Sequence, residues 1–511
     1  MFVTPIVSAL SFLVCVYIYQ KWSRYSAFRT AAAKYSCHRP RRYPHTEPFW
    51  GYDLVRKLAK AARKGQQSEL YEELFRQNGK TFENRLFTTN VINTMDSANI
   101  QTVATSSFQD YAKSSEGERF LKPAFGRGVF TTDGAAWKHS RNLIRPIFSR
   151  SDMSDLNYLG PFIDRLFEKI PRDGSTFDLQ PLSHKLGLDI ATDSVFGQSV
   201  DSLLIETPFE SFQFVKSFNA MLAGTGKRKR FGKLASLRFA FDTEWKKAYT
   251  EIHDWVDVQV KRALQETEDE SQLSSEKGAK SEESSPQPRY ILLYEMAKQI
   301  RDPVELRFQT LQVFLPAANT SPLILANCLF YLARKPEIWT KLRQDALALG
   351  DQPLTFELLR TLIYFRHVFW ETLRVRGLSS PIVREAIRDT VLPVGGGPDG
   401  LSPIFVAKGT EVAMHIRGQG HDTDFWGEDV HTFRPERFTD RRILWQWVPF
   451  FGGPRICLAN QQVQTQFLYE LVRLVREFER IENRDECIEY IETTNPLMKS
   501  KNGVKIALFP A

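Results

Sequence analysis

Cysteine is scarce in this chain: Cys15, Cys37, Cys328, Cys457 and Cys487 are the only five among 511 residues, and no two share a short spacing. That scarcity excludes a disulfide framework and a cysteine-rich zinc site, and it suits a reducing compartment. A nucleotide-binding fingerprint is missing as well. Gly224-Thr225-Gly226-Lys227 lacks the upstream glycine and the following hydroxyl residue of a phosphate loop, and no helix start follows Gly395-Gly396-Gly397. Without a flavin or nicotinamide motif, electrons for any redox reaction must come from another protein. The formal net charge is +8, yet no basic stripe interleaved with aromatic residues accompanies it. Nucleic acid is therefore not the expected partner; an acidic protein or an anionic membrane surface is. There is no internal repeat.

What is present begins with an uncharged apolar stretch from Phe2 to Tyr19, about long enough to cross a bilayer. It has no charge ahead of it and a poor cleavage site, so it reads as a retained transmembrane anchor (residues 1–20), not a signal peptide. Lys21, Arg24, Arg29, Lys34, Arg39, Arg41 and Arg42 follow, which keeps that flank cytosolic. Pro40, Pro44 and Pro48 predict a stiff linker over 21–50, and 51–511 form the body. Helical periodicity covers Val304–Leu332, Phe356–Arg376 and Leu458–Arg480, whereas Thr390–Val412 reads as short strands and turns. The polar run 264–289 predicts a solvated, flexible loop. Lys227-Arg228-Lys229-Arg230 reads as a solvated surface run, with anionic lipid as its functional alternative.

The most informative stretch is Phe450-Phe451-Gly452-Gly453-Pro454-Arg455-Ile456-Cys457-Leu458-Ala459. It offers one thiolate at the end of a glycine-turned loop, with a long helix starting directly afterwards. Backbone N–H groups at a helix N-terminus stabilise a thiolate, which can then serve as a single axial metal ligand. The stretch resembles the haem-binding loop of the cytochrome P-450 superfamily: Phe450, Gly453, Arg455 and Cys457 match, and Ala459 stands where the pattern ends in glycine. Glu371 and Arg374, three apart on one helix face, together with Pro435-Glu436-Arg437-Phe438, resemble the charged triad that props this loop. Trp137 and Arg141 lie one helical turn apart and, with Arg455 and Arg384, are implied as donors to the haem propionates. His139, between them, reads as a surface histidine and not as an iron ligand.

Leu315-Pro316-Ala317-Ala318-Asn319-Thr320-Ser321-Pro322 falls where the family carries its oxygen-activating motif. Thr320 keeps the hydroxyl, but Asn319 takes the place of the acid. Pro316 and Pro322 cannot donate to Gln312 O and Ala318 O, which predicts a kinked, widened groove with spare acceptors beside Thr320. Because an amide orients water but exchanges protons poorly, Asn319 implies slower oxygen activation, or rearrangement or dehydration in place of hydroxylation.

The resemblance covers nearly the whole chain. It implies a cytochrome P-450 fold, mainly α with small β-sheets and one N-terminal transmembrane helix, binding haem b through Cys457. Thr320 and Asn319 are the implied catalytic residues, Glu371, Arg374 and Arg437 the structural support, and Phe450 and Gly453 part of the haem loop. The stretches Gly395–Ile404, Phe425–Asp429 and Pro454–Gln462 are similar to the fungal alkane and fatty-acid ω-hydroxylase branch. That implies a lipophilic substrate, NADPH–cytochrome reductase and cytochrome b5 as partners, and an endoplasmic reticulum membrane. Val375-Arg376-Gly377-Leu378-Ser379-Ser380 departs from that branch, which points away from a linear alkane and towards a specialised pathway such as secondary metabolism. Substrate contacts are expected from Phe108–Phe125, Phe214–Leu222, Leu378–Ile382 and Pro496–Met498. The non-enzymatic alternative is a haem-binding membrane protein with a degenerate oxygen site.

Overall fold

The computed structural model describes residues 3–47, 49–87, 89–113, 121–149, 156–231, 239, 241–276, 290–377, 381–494 and 497–511. The body expected as one domain comprises two compact units: Met1–Ser114 with Pro381–Phe425 and Ile443–Ile456, and Ser115–Ser380 with Trp426–Arg442 and Cys457–Ala511.

The first unit begins with helix α1, Val3–Tyr35. It runs past the anchor boundary expected at residue 20. Residues 21–35 contain neither proline nor glycine, so nothing in them stops a helix. The predicted 21–50 linker is accordingly half helix, and its remainder is tied down: Pro40 bridges Gly396, and Arg41–Arg42 pairs in parallel with the strand Thr81–Leu86. A six-stranded sheet runs in the order Arg41–Arg42, Thr81–Leu86, Thr89–Thr94, Glu411–Met414, Ile382–Ala386, Tyr111–Ala112. Buried Asn99 stitches this sheet to the Thr390–Gly396 hairpin, donating to Thr81 Oγ1, Thr94 Oγ1 and Val394 O while accepting from Val394 N. One side chain thus satisfies backbone groups that a buried loop cannot leave unpaired.

The second unit is helical. Its main members are α2 (Gly134–Ile144), α3 (Leu179–Phe196), α4 (Phe209–Phe231), α5 (Thr243–Glu276), α6 (Pro303–Leu332), α7 (Ile363–Val375) and α8 (Asn460–Glu477). Helix α6 is started by Asp302, whose carboxylate accepts from Val304 N and Glu305 N, with proline at the first position. It is long and apolar enough to cross a membrane, yet 78% of its most apolar window is buried in the protein, which makes it a core helix. Phe314 of α6 meets Phe196, Phe214 and Phe218 at ring separations of 5.3, 6.1 and 5.2 Å, forming the aromatic centre of this unit.

Two expectations are corrected here. Residues 264–276 are not a loop but the last turns of α5, and 277–289 lie outside the described residues. Val256, Val260, Ala263 and Thr267 form a buried stripe at helical spacing, and the Glu, Lys and Gln around them are good helix formers. The basic run at the end of α4 is not wholly solvated either. Arg228 is buried, with its guanidinium 3.6 Å from the Trp245 ring centre and 3.1 Å from Asp242.

Candidate active site

The charged prop expected from sequence is assembled within the second unit. Arg374 grips Glu371 with two parallel bonds, Nε to Oε2 at 2.7 Å and Nη2 to Oε1 at 2.8 Å, and both side chains are fully buried. Arg437 Nε adds a bond of 3.0 Å to Glu371 Oε1, and Arg434 N adds one of 2.7 Å. Sequence reasoning missed Asp429, which receives Arg437 Nη1 at 3.2 Å and pairs with Arg434 Nη2 at 3.0 Å, so that two carboxylates meet three guanidiniums. Burial works against the Asp429 charge, but Arg437 and Arg434 outweigh it and hold the carboxyl below its usual range. Arg374 Nη1 and Arg437 Nη2 also donate to Val430 O and Thr432 O, so the network pins the segment 430–437 onto α7.

Cys457 stands two residues before the Ala459 cap of α8 and is a free thiol. The residue is exposed, yet surrounding protein desolvates its sulfur. Burial pushes the thiol up, while the Ala459 N–H and the Arg141 guanidinium pull it back. The net shift is upward, and a bound metal ion supplies the further positive charge that thiolate ligation needs. Trp137 is buried and Arg141 half-buried on α2, one turn apart as their spacing requires. A thiol able to ligate, with an indole N–H and a guanidinium nearby, fits a metal-bearing group that carries carboxylates. His139 lies outward and pairs with Glu305 at 2.9 Å, as a surface histidine should.

The rest of the cysteine loop belongs to the first unit. Gly453–Arg455 forms a 3-10 turn, and Gly453 has φ +65°. A Cβ there would lie 1.9 Å from Ala104 O, so the position requires glycine. Arg455 lies over the Phe108 ring, and Arg384, in the strand Ile382–Ala386, lies over the Phe451 ring, with centre distances of 5.7 and 5.6 Å. Phe450 stands half-buried in the turn before Gly452.

On α6, Pro316, Ala317 and Thr320 are half-exposed, whereas Ala318, Asn319 and residues 321–330 are buried. Within this stretch, one face of the helix is therefore open at Thr320. α6 stays helical through both prolines. Thr320 Oγ1 donates to Pro316 O and Asn319 Nδ2 to Leu315 O, so both side chains turn back onto their own helix. The carbonyl that Pro322 leaves behind, Ala318 O, faces Gly187 of α3, where a Cβ would lie only 2.8 Å away.

Of the substrate-contact segments, Phe214, Phe218, Met221 and Leu222 lie in the core of the second unit. Residues 114–120, Leu378–Ser380 and Pro496 lie outside the described residues. Sequence reasoning also missed Gln466 and Glu470 of α8. Ser321 Oγ reaches Gln466 Oε1 at 3.5 Å, and Gln466 Nε2 donates to Glu470 Oε1 at 2.8 Å. Glu470 is fully buried, and burial pushes its carboxyl up to about 7.

A helical fold with small sheets and one ligating cysteine ahead of a long helix defines a haem-thiolate protein. Residues 44–508 match the family model described as Cytochrome P450, and the chain belongs to that family. It is 36% identical over 482 residues to cytochrome P450 monooxygenase iccC of Talaromyces variabilis, covering 93% of this chain and 92% of that protein. Against cytochrome P450 monooxygenase apdE of Emericella nidulans the identity is 35%, with 97% and 93% covered. Cytochrome P450 52A12 of Debaryomyces hansenii is 33% identical, with 91% of each chain covered. The chain is a haem enzyme, a cytochrome P450 monooxygenase.

Proposed function

We propose that this enzyme inserts one atom of O2 into a C–H or double bond of a lipophilic substrate of fatty-acid, terpenoid or polyketide type. Electrons come from NADPH through a cytochrome reductase, with cytochrome b5 as a second donor. The observation that carries the reading is Cys457: a desolvated thiol with the Ala459 N–H and Arg141 as its stabilising partners. Bound haem supplies the redox-active iron that activates O2, with Cys457 as its axial ligand. Trp137, Arg141, Arg455 and Arg384 hold the propionates by charge-assisted bonds, Phe450 and Gly453 shape the loop, and Glu371, Arg374 and Arg437 brace it. Thr320 and Asn319 line the oxygen side.

The α1 helix serves as a single-pass anchor in the endoplasmic reticulum membrane, with the body cytosolic. Phe12, Ile18, Tyr19 and Trp22 are exposed along it, which costs less in lipid than in water. Its 33 residues span about 50 Å, enough to cross the ~30 Å hydrocarbon core and project a basic stem. The departure at Val375–Ser380 favours a role in secondary metabolism over alkane oxidation.

The test is the reduced, carbon-monoxide-treated protein. It shows the long-wavelength Soret band of thiolate ligation, and Cys457→Ser abolishes both band and turnover. A serine variant that keeps them overturns the assignment. Product formation that needs neither NADPH nor reductase points instead to rearrangement or dehydration.

A further inference from the structure

Helix α6 meets its neighbours along one stripe. Glu305, Phe308, Gln309, Gln312, Pro316 and Thr320 recur at steps of one turn or nearly so, which places them on one side of the helix. The first half of the stripe is covered. Glu305 pairs with His139, Gln309 Nε2 donates to Ser140 Oγ at 2.8 Å, and Phe308 and Gln312 lie under the loop 125–132 that leads into α2. The second half opens, with Pro316 and Thr320 half-exposed.

Gln312 stands at the boundary and is 1% exposed. Its Nε2 donates to Phe125 O at 2.9 Å and to Thr131 Oγ1 at 3.0 Å, while Oε1 accepts from Phe130 N at 2.6 Å. Two glycines allow the loop to come this close. A Cβ at Gly126 would lie 2.0 Å from the Phe308 ring, and one at Gly128 would lie 2.6 Å from the Gln312 carboxamide. Thr131 Oγ1 closes the loop on itself, donating to Gly126 O at 2.7 Å and accepting from Gly128 N at 2.9 Å. His253 of α5 holds the start of the loop by donating to Ala124 O at 2.8 Å. On this fixed backbone Phe130 differs from its neighbours: its N–H is clamped, yet the residue is 44% exposed.

We propose that Gln312 is a specificity-determining positioning residue: its carboxamide clamps the 125–131 backbone so that the Phe130 ring forms an apolar wall at the edge of the open α6 face. This role rests on the monooxygenase reading of the site. Thr320 lies eight residues further along α6, about 12 Å down the axis. A lipophilic substrate of that length can pack on the ring at one end and reach the oxygen side at the other. An aromatic face offers a large contact area, and it selects by shape only where the backbone beneath it cannot shift. A glutamine suits the clamp because two N–H groups and one carbonyl match two acceptors and one donor of the loop. An apolar side chain of the same length would leave Phe125 O and Phe130 N buried without a partner, and the loop would lift to regain them.

The experiment uses the purified, haem-loaded ferric chain and two probes, imidazole and 4-phenylimidazole, each titrated by its shift of the Soret band. Both constants are read per haem, so protein lost to misfolding does not enter their ratio. Phe130→Ala is expected to lower the preference for 4-phenylimidazole over imidazole several-fold. Gln312→Met should lower it by a similar factor, and the double variant should fall no further than Phe130→Ala alone. Gly128→Ala, which pushes the loop off the carboxamide from the other side, should match Gln312→Met and replaces it if that variant fails to hold haem. Hydrogen exchange over residues 125–132 should be at least several-fold faster in Gln312→Met than in the wild type.

An unchanged azole ratio in Phe130→Ala or in Gln312→Met overturns the proposal, as does a double variant whose two effects multiply. Exchange as slow in Gln312→Met as in the wild type overturns the clamp itself. If the wild type gives no Soret shift with either azole, the haem-thiolate reading of Cys457 fails instead. The exchange comparison then still decides whether Gln312 holds the loop.

Discussion

Arg437 Nε donates to Glu371 Oε1 at 3.0 Å across 66 residues of sequence, and neither side chain retains any exposure. Arg374 occupies the other side of the same carboxylate, so one acid neutralises parts of two cations in a dry interior. Removing one member of a buried ion network strands the charges of the rest, which costs about 3–5 kcal/mol.

Glu371→Gln and Arg437→Leu should each lower unfolding stability by an amount in that range. The α7 helix and segment 430–437 separate when the network fails, so haem retention should fall as well. Urea unfolding followed by tryptophan fluorescence measures the first effect, and the haem-to-protein absorbance ratio the second. Arg437→Lys should be nearly as damaging, because one ammonium cannot reach Glu371, Asp429 and Thr432 O in the fixed directions a guanidinium provides.

Glu470 predicts a pH effect of opposite sign to the common carboxylate case. Its folded pKa is about 7 against 4.5 for the free side chain. Between these values the folded state holds a proton that the unfolded state has lost, so stability falls as pH rises. The loss accumulates to about 3 kcal/mol and levels off above pH 7. Urea denaturation at half-unit steps from pH 5 to 8 should show that slope. Glu470→Gln, which carries no titrating group, should reduce it; an unchanged slope assigns the effect to other residues.

Much of the site was legible because its chemistry is written in short spacings. Glu371 and Arg374 are three apart and Trp137 and Arg141 four apart, and helical geometry alone puts each pair on one face. The groups that sequence reasoning missed lie far apart along the chain. Gln466 meets Ser321 through the packing of α8 against α6, and nothing local to either residue announces the other. Asp429 joins the network through a loop. The run 264–276 was misread for another reason: composition reports solvation of most of its residues, while the fold is decided by the buried minority, with Ala263 and Thr267 continuing the stripe from Val260. Arg228 was misread because Trp245 and Asp242, which shield it, belong to a segment beyond its own helix.

Gly187 tests the α3–α6 contact independently of any chemistry. An alanine there must displace Pro322 or the Ala318 carbonyl, since the added carbon would fall 2.0 and 2.8 Å from them. Overpacking of this kind typically costs about 1–3 kcal/mol, and Gly187→Ala should lose stability on that scale. Urea unfolding of the variant beside the wild type measures that loss; an unchanged midpoint means that the helices accommodate the added carbon.

Positions 453 and 459 make opposite predictions, although a glycine is expected from the family pattern at both. Ala459 has φ −86° and ψ 13°, a conformation open to any residue, so alanine costs nothing there. Ala459→Gly should change stability by less than about 1 kcal/mol and leave the spectrum of the reduced carbon monoxide form unaltered. Gly453 has φ +65° and packs against backbone: a methyl group would sit 1.9 Å from Ala104 O, which belongs to a helix and cannot swing aside as a side chain can. Gly453→Ala should therefore cost well over about 1 kcal/mol, the strain of a left-handed non-glycine residue adding to the clash. The turn that carries Arg455 and leads into Cys457 must shift to relieve it. The predicted readout is a lower haem content and a larger share of protein absorbing at the shorter wavelength that marks lost thiolate ligation. Spectra of the two variants prepared side by side decide the point: if Gly453→Ala matches Ala459→Gly, the loop is not held by the Ala104 contact.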